Sequence, residues 1–219
     1  MRRLFLLLVW MLGAAAAQGA HAAQVAGTVV QASGPLSARS PSGAVKPLRA
    51  LSEVESGDTL ITAADTYALV RFIDNSELAL KPSTTLTIEQ FAFDGAQPAA
   101  DRAAFTLVKG GLRSVSGLLG KRSKEKFAIR TPSATIGIRG TTFFLEYLTA
   151  AADGLAPGLH VHVSAGGLSI VNGAGEFRYD PGQFGYIRDA QSRPVKMFAN
   201  PGLRFAPPAS FGEADTLTP

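Results

Sequence analysis

His160 and His162 are the residues whose type and spacing come nearest to a reactive device. On an extended chain a spacing of two puts both imidazoles on one face. There they could share zinc or copper, which require three or four ligands. No carboxylate lies at a telling distance, Asp153 being merely near, so the expectation is two solvent-facing histidines opposite Val161 and Val163, without metal. Asp58, Asp74, Glu53 and Glu55 could supply a carboxylate pair of the glycosidase kind. Yet both aspartates stand where aspartate suits a turn. No serine sits in a Gly-x-Ser-x-Gly elbow, and the only other histidine is His21, so a serine–histidine–acid set has nothing to draw on. The absence of cysteine excludes thiol nucleophiles, metal–thiolate centres and disulfides. An enzyme is not expected, nor a cofactor.

Two further groups of residues offer recognition. Lys121, Arg122, Lys124 and Lys126 form the one basic cluster. Its Gly120-Lys121-Arg122 departs from a phosphate loop, which requires glycine where Val115 stands and a hydroxyl residue where Arg122 stands. The cluster reads as a solvated loop tip that could meet an acidic partner or anionic headgroups. Arg139-Gly140-Thr141 could present an arginine to a carboxylate or sugar. The plainer reading gives Gly140 a backbone conformation that other residues avoid, with Arg139 closing a local pair to Glu146 or Asp74. Thr131-Pro132 ends a strand by the restriction that proline places on its predecessor.

The elements that would position these residues are strands. After the first 23 residues, short runs of β-branched and apolar residues alternate with turn signals about every 8–12 residues. Leu78 and Leu80 share one face with Glu77, Ala79 and Lys81 opposite, and Thr84 to Phe91 alternates in the same way. Pro47 marks Val45 to Arg49 as an edge or irregular strand. The reading is an all-β fold, a β-sandwich or β-solenoid of about 12–16 short strands with no long helix. A loop over about 94–104 separates two halves of a β domain spanning 24–190. From 191 to 219 the pattern decays into a proline-rich irregular tail, anchored through Phe198, Leu203 or Phe205 and frayed beyond Pro208.

Residues 1–23 read as an export signal: Arg2 and Arg3, an uncharged apolar run from Leu4 to Ala17, and Ala20-His21-Ala22 as the cleavage site. The run is shorter than a membrane span requires, and no later segment approaches that length. The expected compartment is the periplasm, reached by cleaved Sec-type export. The leader takes two of the 21 basic residues and none of the 17 acidic ones, so the mature chain is near neutral and gives no nucleic-acid footprint.

The motifs then carry a resemblance. Gly57-Asp58-Thr59-Leu60-Ile61-Thr62, Ala68 to Ser76 with Asp74-Asn75, and Leu86-Thr87-Ile88 are similar to the first half of a FecR domain. Leu107 to Arg113 with Gly110-Gly111, Phe127 to Ala134, and Ile138-Arg139-Gly140-Thr141 resemble its second half. Val163 to Ile170 with Gly166-Gly167, and Pro181-Gly182-Gln183, resemble its closing strands. The likeness runs from about Val25 to Ile187 and implies an all-β periplasmic domain in which Gly57, Asp58, Asp74, Thr131, Pro132, Arg139, Gly140, Thr141, Gly166 and Gly182 are structural. In the family's namesake such a region receives a signal from an outer-membrane transporter and passes it to a sigma factor. There a sigma-binding cytoplasmic segment and a membrane helix come first. Here the domain follows directly on an export segment, so direct anti-sigma activity is not expected. The expected function is an exported, non-enzymatic module binding a protein of the cell envelope in signalling. The alternative is a structural envelope module binding peptidoglycan or another polysaccharide.

Overall fold

The computed structural model describes residues 24–211; the expected export signal and the last eight residues lie outside them. The chain runs through β1 (Val25–Ala32), β2 (Leu36–Arg39), β3 (Val45–Leu48), β4 (Glu53–Glu55), β5 (Thr59–Thr62), β6 (Ala68–Phe72), β7 (Glu77–Leu80), β8 (Thr85–Ala92) and β9 (Arg102–Val115). After the short helix α1 (Leu118–Arg122) come β10 (Phe127–Arg130), β11 (Thr135–Ile138), β12 (Thr142–Leu148), β13 (Gly158–Ala165), β14 (Leu168–Asn172), β15 (Gly175–Tyr179), β16 (Phe184–Ile187) and β17 (Val195–Met197). The fold is all-β, as the alternation predicts.

The strands pair into two layers. Layer A has the order β4-β1-β6-β7-β9-β12-β13-β16-β17. Layer B has the order β3-β2-β5-β8-β9-β10-β11-β14-β15. One hydrophobic core lies between them, drawing Val29, Val70, Leu112 and Val161 from layer A and Leu60, Ile88, Ile129 and Ile170 from layer B. Phenylalanines cross the interior: Phe72 stacks on Phe91 at 4.7 Å and meets Phe105 at 5.3 Å, and Phe127 meets Phe143 at 6.4 Å. Each ring fully withdrawn from water contributes roughly 1.5–3 kcal/mol. This facing of two layers is a sandwich, which decides between the two architectures that the sequence leaves open.

Strand β9 belongs to both layers. Residues 102–107 and 109 pair with β8 in layer B, whereas residues 112–115 pair with β7, and 110–115 with β12, in layer A. The bend falls at Gly110, whose φ of 86° lies in the left-handed region, and a Cβ there would stand 2.5 Å from the Cα of Thr84. From Val115 the chain returns to layer B through α1 and a 3-10 turn at Lys124–Lys126, so that β10 lies parallel to β9, in contrast to the antiparallel pairs elsewhere.

Three features add to the sequence reading. The 94–104 segment joins β8 and β9, which pair with each other, and β9 begins at Arg102. Strands β2, β4 and β17, of only three or four residues, are absent from the alternation reading and raise the count to seventeen. Because β17 pairs with β16, layer A continues beyond residue 190. Pro47 does mark an edge: β3 pairs with β2 alone.

Candidate functional site

The motif residues gather about the crossover from β9 to β10. Asp74 is 2 % exposed. Its Oδ1 accepts from the Ser76 amide at 2.9 Å and from the Ser76 hydroxyl, while Oδ2 accepts from the Leu119 amide at 3.1 Å and its carbonyl accepts from the Leu118 amide at 2.9 Å. One aspartate therefore makes the β6–β7 turn and holds the start of α1 to it. Thr141 holds the other end. Its hydroxyl donates to Gly167 O at 2.7 Å, its amide donates to Ser116 Oγ at 2.9 Å, and its carbonyl accepts from that hydroxyl at 2.9 Å. Gly166, at φ 78°, passes so close that a Cβ would lie 2.2 Å from Gly140 O.

Arg139 pairs neither with Glu146 nor with Asp74, as the sequence suggests, but with exposed Asp180 at 3.2 Å. Glu146 is taken by Lys81 at 2.5 Å. Thr131 Oγ1 donates to Ala134 O at 2.9 Å around Pro132. Asp58, 1 % exposed, accepts from the Glu55 amide at 3.1 Å and pairs with Lys46 at 3.3 Å, following the turn where Gly57 takes φ 93°. Gly182, at φ 82°, serves the β15–β16 turn. These contacts join turns and strands of the fold to one another; none of them converges on a reacting atom.

The basic cluster divides. Arg122 forks onto Asp101 at 2.7 and 2.8 Å, donates to Asp94 O and Gly95 O, and lies 4.4 Å over the Phe93 ring. The Arg122 guanidinium and the Ser123 hydroxyl hold the Asp101 carboxyl below its ordinary range against the opposing effect of burial. Lys126 donates to Pro98 O and Ala99 O at 2.9 and 2.7 Å. Both cations therefore pin the 94–101 loop, while the exposed Lys121 and Lys124 make no such contact among the described residues.

The outer face of layer A is where the structure departs furthest from expectation. His160 and His162 are 3 % and 9 % exposed, not solvent-facing. Register sets Glu146, His160 and Tyr186 in one row, and Arg113, Phe144, His162 and Phe184 in the next. His162 is clamped between Phe144 (5.8 Å) and Phe184 (4.1 Å), and burial pushes its pKa down. His160 stacks on Tyr186 at 4.9 Å and donates from Nε2 to Ala156 O at 2.8 Å. The Nδ1 atoms of both imidazoles are buried without a hydrogen-bond partner among the described residues. Gly111 leaves room for Lys81 to reach Glu146; a Cβ there would stand 2.7 Å from Lys81 Cδ. No group of three or more His, Asp or Glu side chains able to hold a metal ion occurs among the described residues.

The C-terminal segment covers this face. Phe205 packs on Phe144 and Ala79, and Leu203 packs on Phe184 and Leu155. Tyr67 meets the rings of Phe205 and Phe211 at 5.8 and 6.3 Å; burial raises its phenol pKa, against a hydrogen bond with the Ala206 backbone. Phe198, a third expected anchor, is 81 % exposed instead. The sequence gives no local signal for this contact, since anchors and seat lie 19 or more residues apart.

On the outer face of layer B one cross-strand row, its residues half-buried or exposed, reads Arg39, Thr59, Thr87, Thr106, Arg130, Thr135, Val171 and Glu176. Thr59 and Thr87 share a hydrogen bond of 2.9 Å. Beside the β16–β17 edge lies a shallow cleft lined by Tyr186, Arg188, Ser192, Arg193 and Val195, with Arg188 engaged by Asp189 and Ser192.

No curated protein matches the chain. Two crystal structures, both of a protein provisionally named an anti-sigma factor from Parabacteroides distasonis, are similar at 14 % and 15 % identity, each with a TM-score of 0.49. Each alignment covers 64 % of this chain and 58 % of the neighbour, so the chain spans less than two thirds of their length. The model of the family described as FecR protein matches residues 58–168, just over half of the chain. That span starts at Asp58 and ends at Leu168, taking in the β9 bend, the crossover and the residues that clamp it: the chain belongs to the FecR protein family.

Proposed function

We propose that this chain is an exported, periplasmic, non-enzymatic FecR module that acts in signalling through contact with a protein of the cell envelope. Family membership carries the reading. It is supported by the way the acidic side chains are used. Asp58, Asp74, Asp101 and Glu146 each hold backbone amides or a cation of the fold itself, which leaves them unsuited to proton transfer. The leader-like residues 1–23 support export. Fractionation of cells expressing the tagged chain, followed by cross-linking and capture, tests both parts. A periplasmic product that cross-links to a defined envelope protein is the expected result; a cytosolic product keeping its N-terminus would overturn it.

A second reading, binding of peptidoglycan or another polysaccharide, is favoured by the outer face of layer B. Three threonines of its row, Thr59, Thr87 and Thr106, lie between Arg39 and Arg130, and neither arginine has an ion pair among the described residues. Hydroxyls and free guanidinium groups in a row suit a chain of sugars carrying carboxylates. Sedimentation with insoluble cell wall, abolished in an R39A/R130A variant, would favour that reading over the first.

A further inference from the structure

We propose that the outer face of layer A is a docking seat for an extended segment of a partner protein, one bearing apolar side chains two residues apart and followed by proline, and that residues 200–211 hold the seat until the partner arrives. The inference deepens the protein-binding reading above and rests on it.

The present occupant is bound as a peptide ligand would be. Leu203 and Phe205 are 2 % and 1 % exposed, whereas Arg204 and Ala206 between and beyond them face solvent. The anchors sit on the two phenylalanines that clamp His162: Leu203 on Phe184 and Phe205 on Phe144. The segment therefore runs across strands β16, β13 and β12, with a lone bridge residue at Phe205 instead of a strand. Pro201, Pro207 and Pro208 lack the amide that strand pairing requires. Asn200 shapes its start locally, accepting from the amides of Gly202 and Leu203 at 3.0 and 2.8 Å. Side-chain insertion is what seats it.

The seat beneath is poorly matched to so apolar a cover. The Nδ1 atoms of His160 and His162 are buried without partners among the described residues, and the Lys81–Glu146 pair is largely withdrawn from water. Polar atoms left unsatisfied under a cover weaken its hold. A partner segment that repeats the two apolar anchors and also presents polar groups would therefore displace it.

The test uses the chain as purified from cells, wild type and an L203A/F205A variant, with a fluorescein-labelled peptide of residues 198–211 as probe. Anisotropy titration should show the double variant binding the peptide at least tenfold more tightly than wild type. A peptide with both anchors changed to alanine should bind neither protein. Equal binding of the two peptides, or no binding to a double variant that keeps the wild-type strand spectrum, would overturn the proposal. If the double variant does not fold, hydrogen exchange in the wild type decides. Amides within 200–211 should exchange at least tenfold faster than those of β12 and β13, and equal rates would sink the idea. A wild-type dimer that disappears in the variant would make a second copy the occupant, which also refutes the proposal as stated. Capture of an envelope partner alongside a failed peptide titration would leave the protein-binding reading standing and remove only this seat.

Discussion

His162 lies between Phe144 and Phe184, and burial holds its pKa below the ordinary value. The unfolded imidazole titrates near about 6.5, so as pH falls through that value the unfolded chain takes up a proton that the folded chain refuses. This contribution to stability is whole above the unfolded pKa and is lost as pH drops toward the lower folded one. The urea midpoint should therefore fall between pH 7.5 and pH 5, and an H162F variant should show a shallower fall; identical slopes would refute the assignment. Asp74 makes a different prediction. Because one buried carboxylate serves two turns, D74A should lose about 1–3 kcal/mol in urea denaturation. D74N should recover only part, since the amide accepts through one oxygen where the carboxylate uses two. The aspartate's turn role was visible in its neighbours Asn75 and Ser76. Its grip on Leu119 was not, because nothing local marks a contact spanning 45 residues.

Strand β9 shows what alternation can and cannot reveal at the level of an element. Phe105 to Val108 and Leu112 to Ser116 each read as strands, but the two glycines between them read as a break. In the fold they are the bend that carries one strand of fourteen residues from layer B to layer A. G110A sets a Cβ against the Thr84 backbone at a left-handed φ and should cost at least about 2 kcal/mol by the same measurement. β13 misled in the opposite sense. His160 and His162 do face away from the core, as alternation with Val161 and Val163 requires, yet stacked rings bury them, Tyr186 beside His160 and Phe144 and Phe184 about His162. A period of two reports which face a residue takes, not what lies over that face. The connection from β8 to β9 is pinned by Arg122 and Lys126, so R122A should be cut by protease within 94–101 well before the wild type is. Matching cleavage rates would show that the fork is dispensable.

Taken as a whole, the molecule has one core shared by both layers, and β9 belongs to each. Neither the residues before position 94 nor those after it can bury their apolar faces alone. Thermal unfolding should accordingly be a single transition with calorimetric and van't Hoff enthalpies in agreement; two resolved transitions would contradict the shared core. The bend at Gly110 also bears on how the molecule comes into being. The pairings of β9 with β7, β10 and β12 span 24 residues or more, which makes for slow assembly. A chain emerging with its N-terminus first offers β7 and β8 as raw edges until residue 115 has appeared, and the parallel partner β10 comes later still. Until then the polypeptide is a half-built sheet open to mispairing, and a holding chaperone has its natural window of action there.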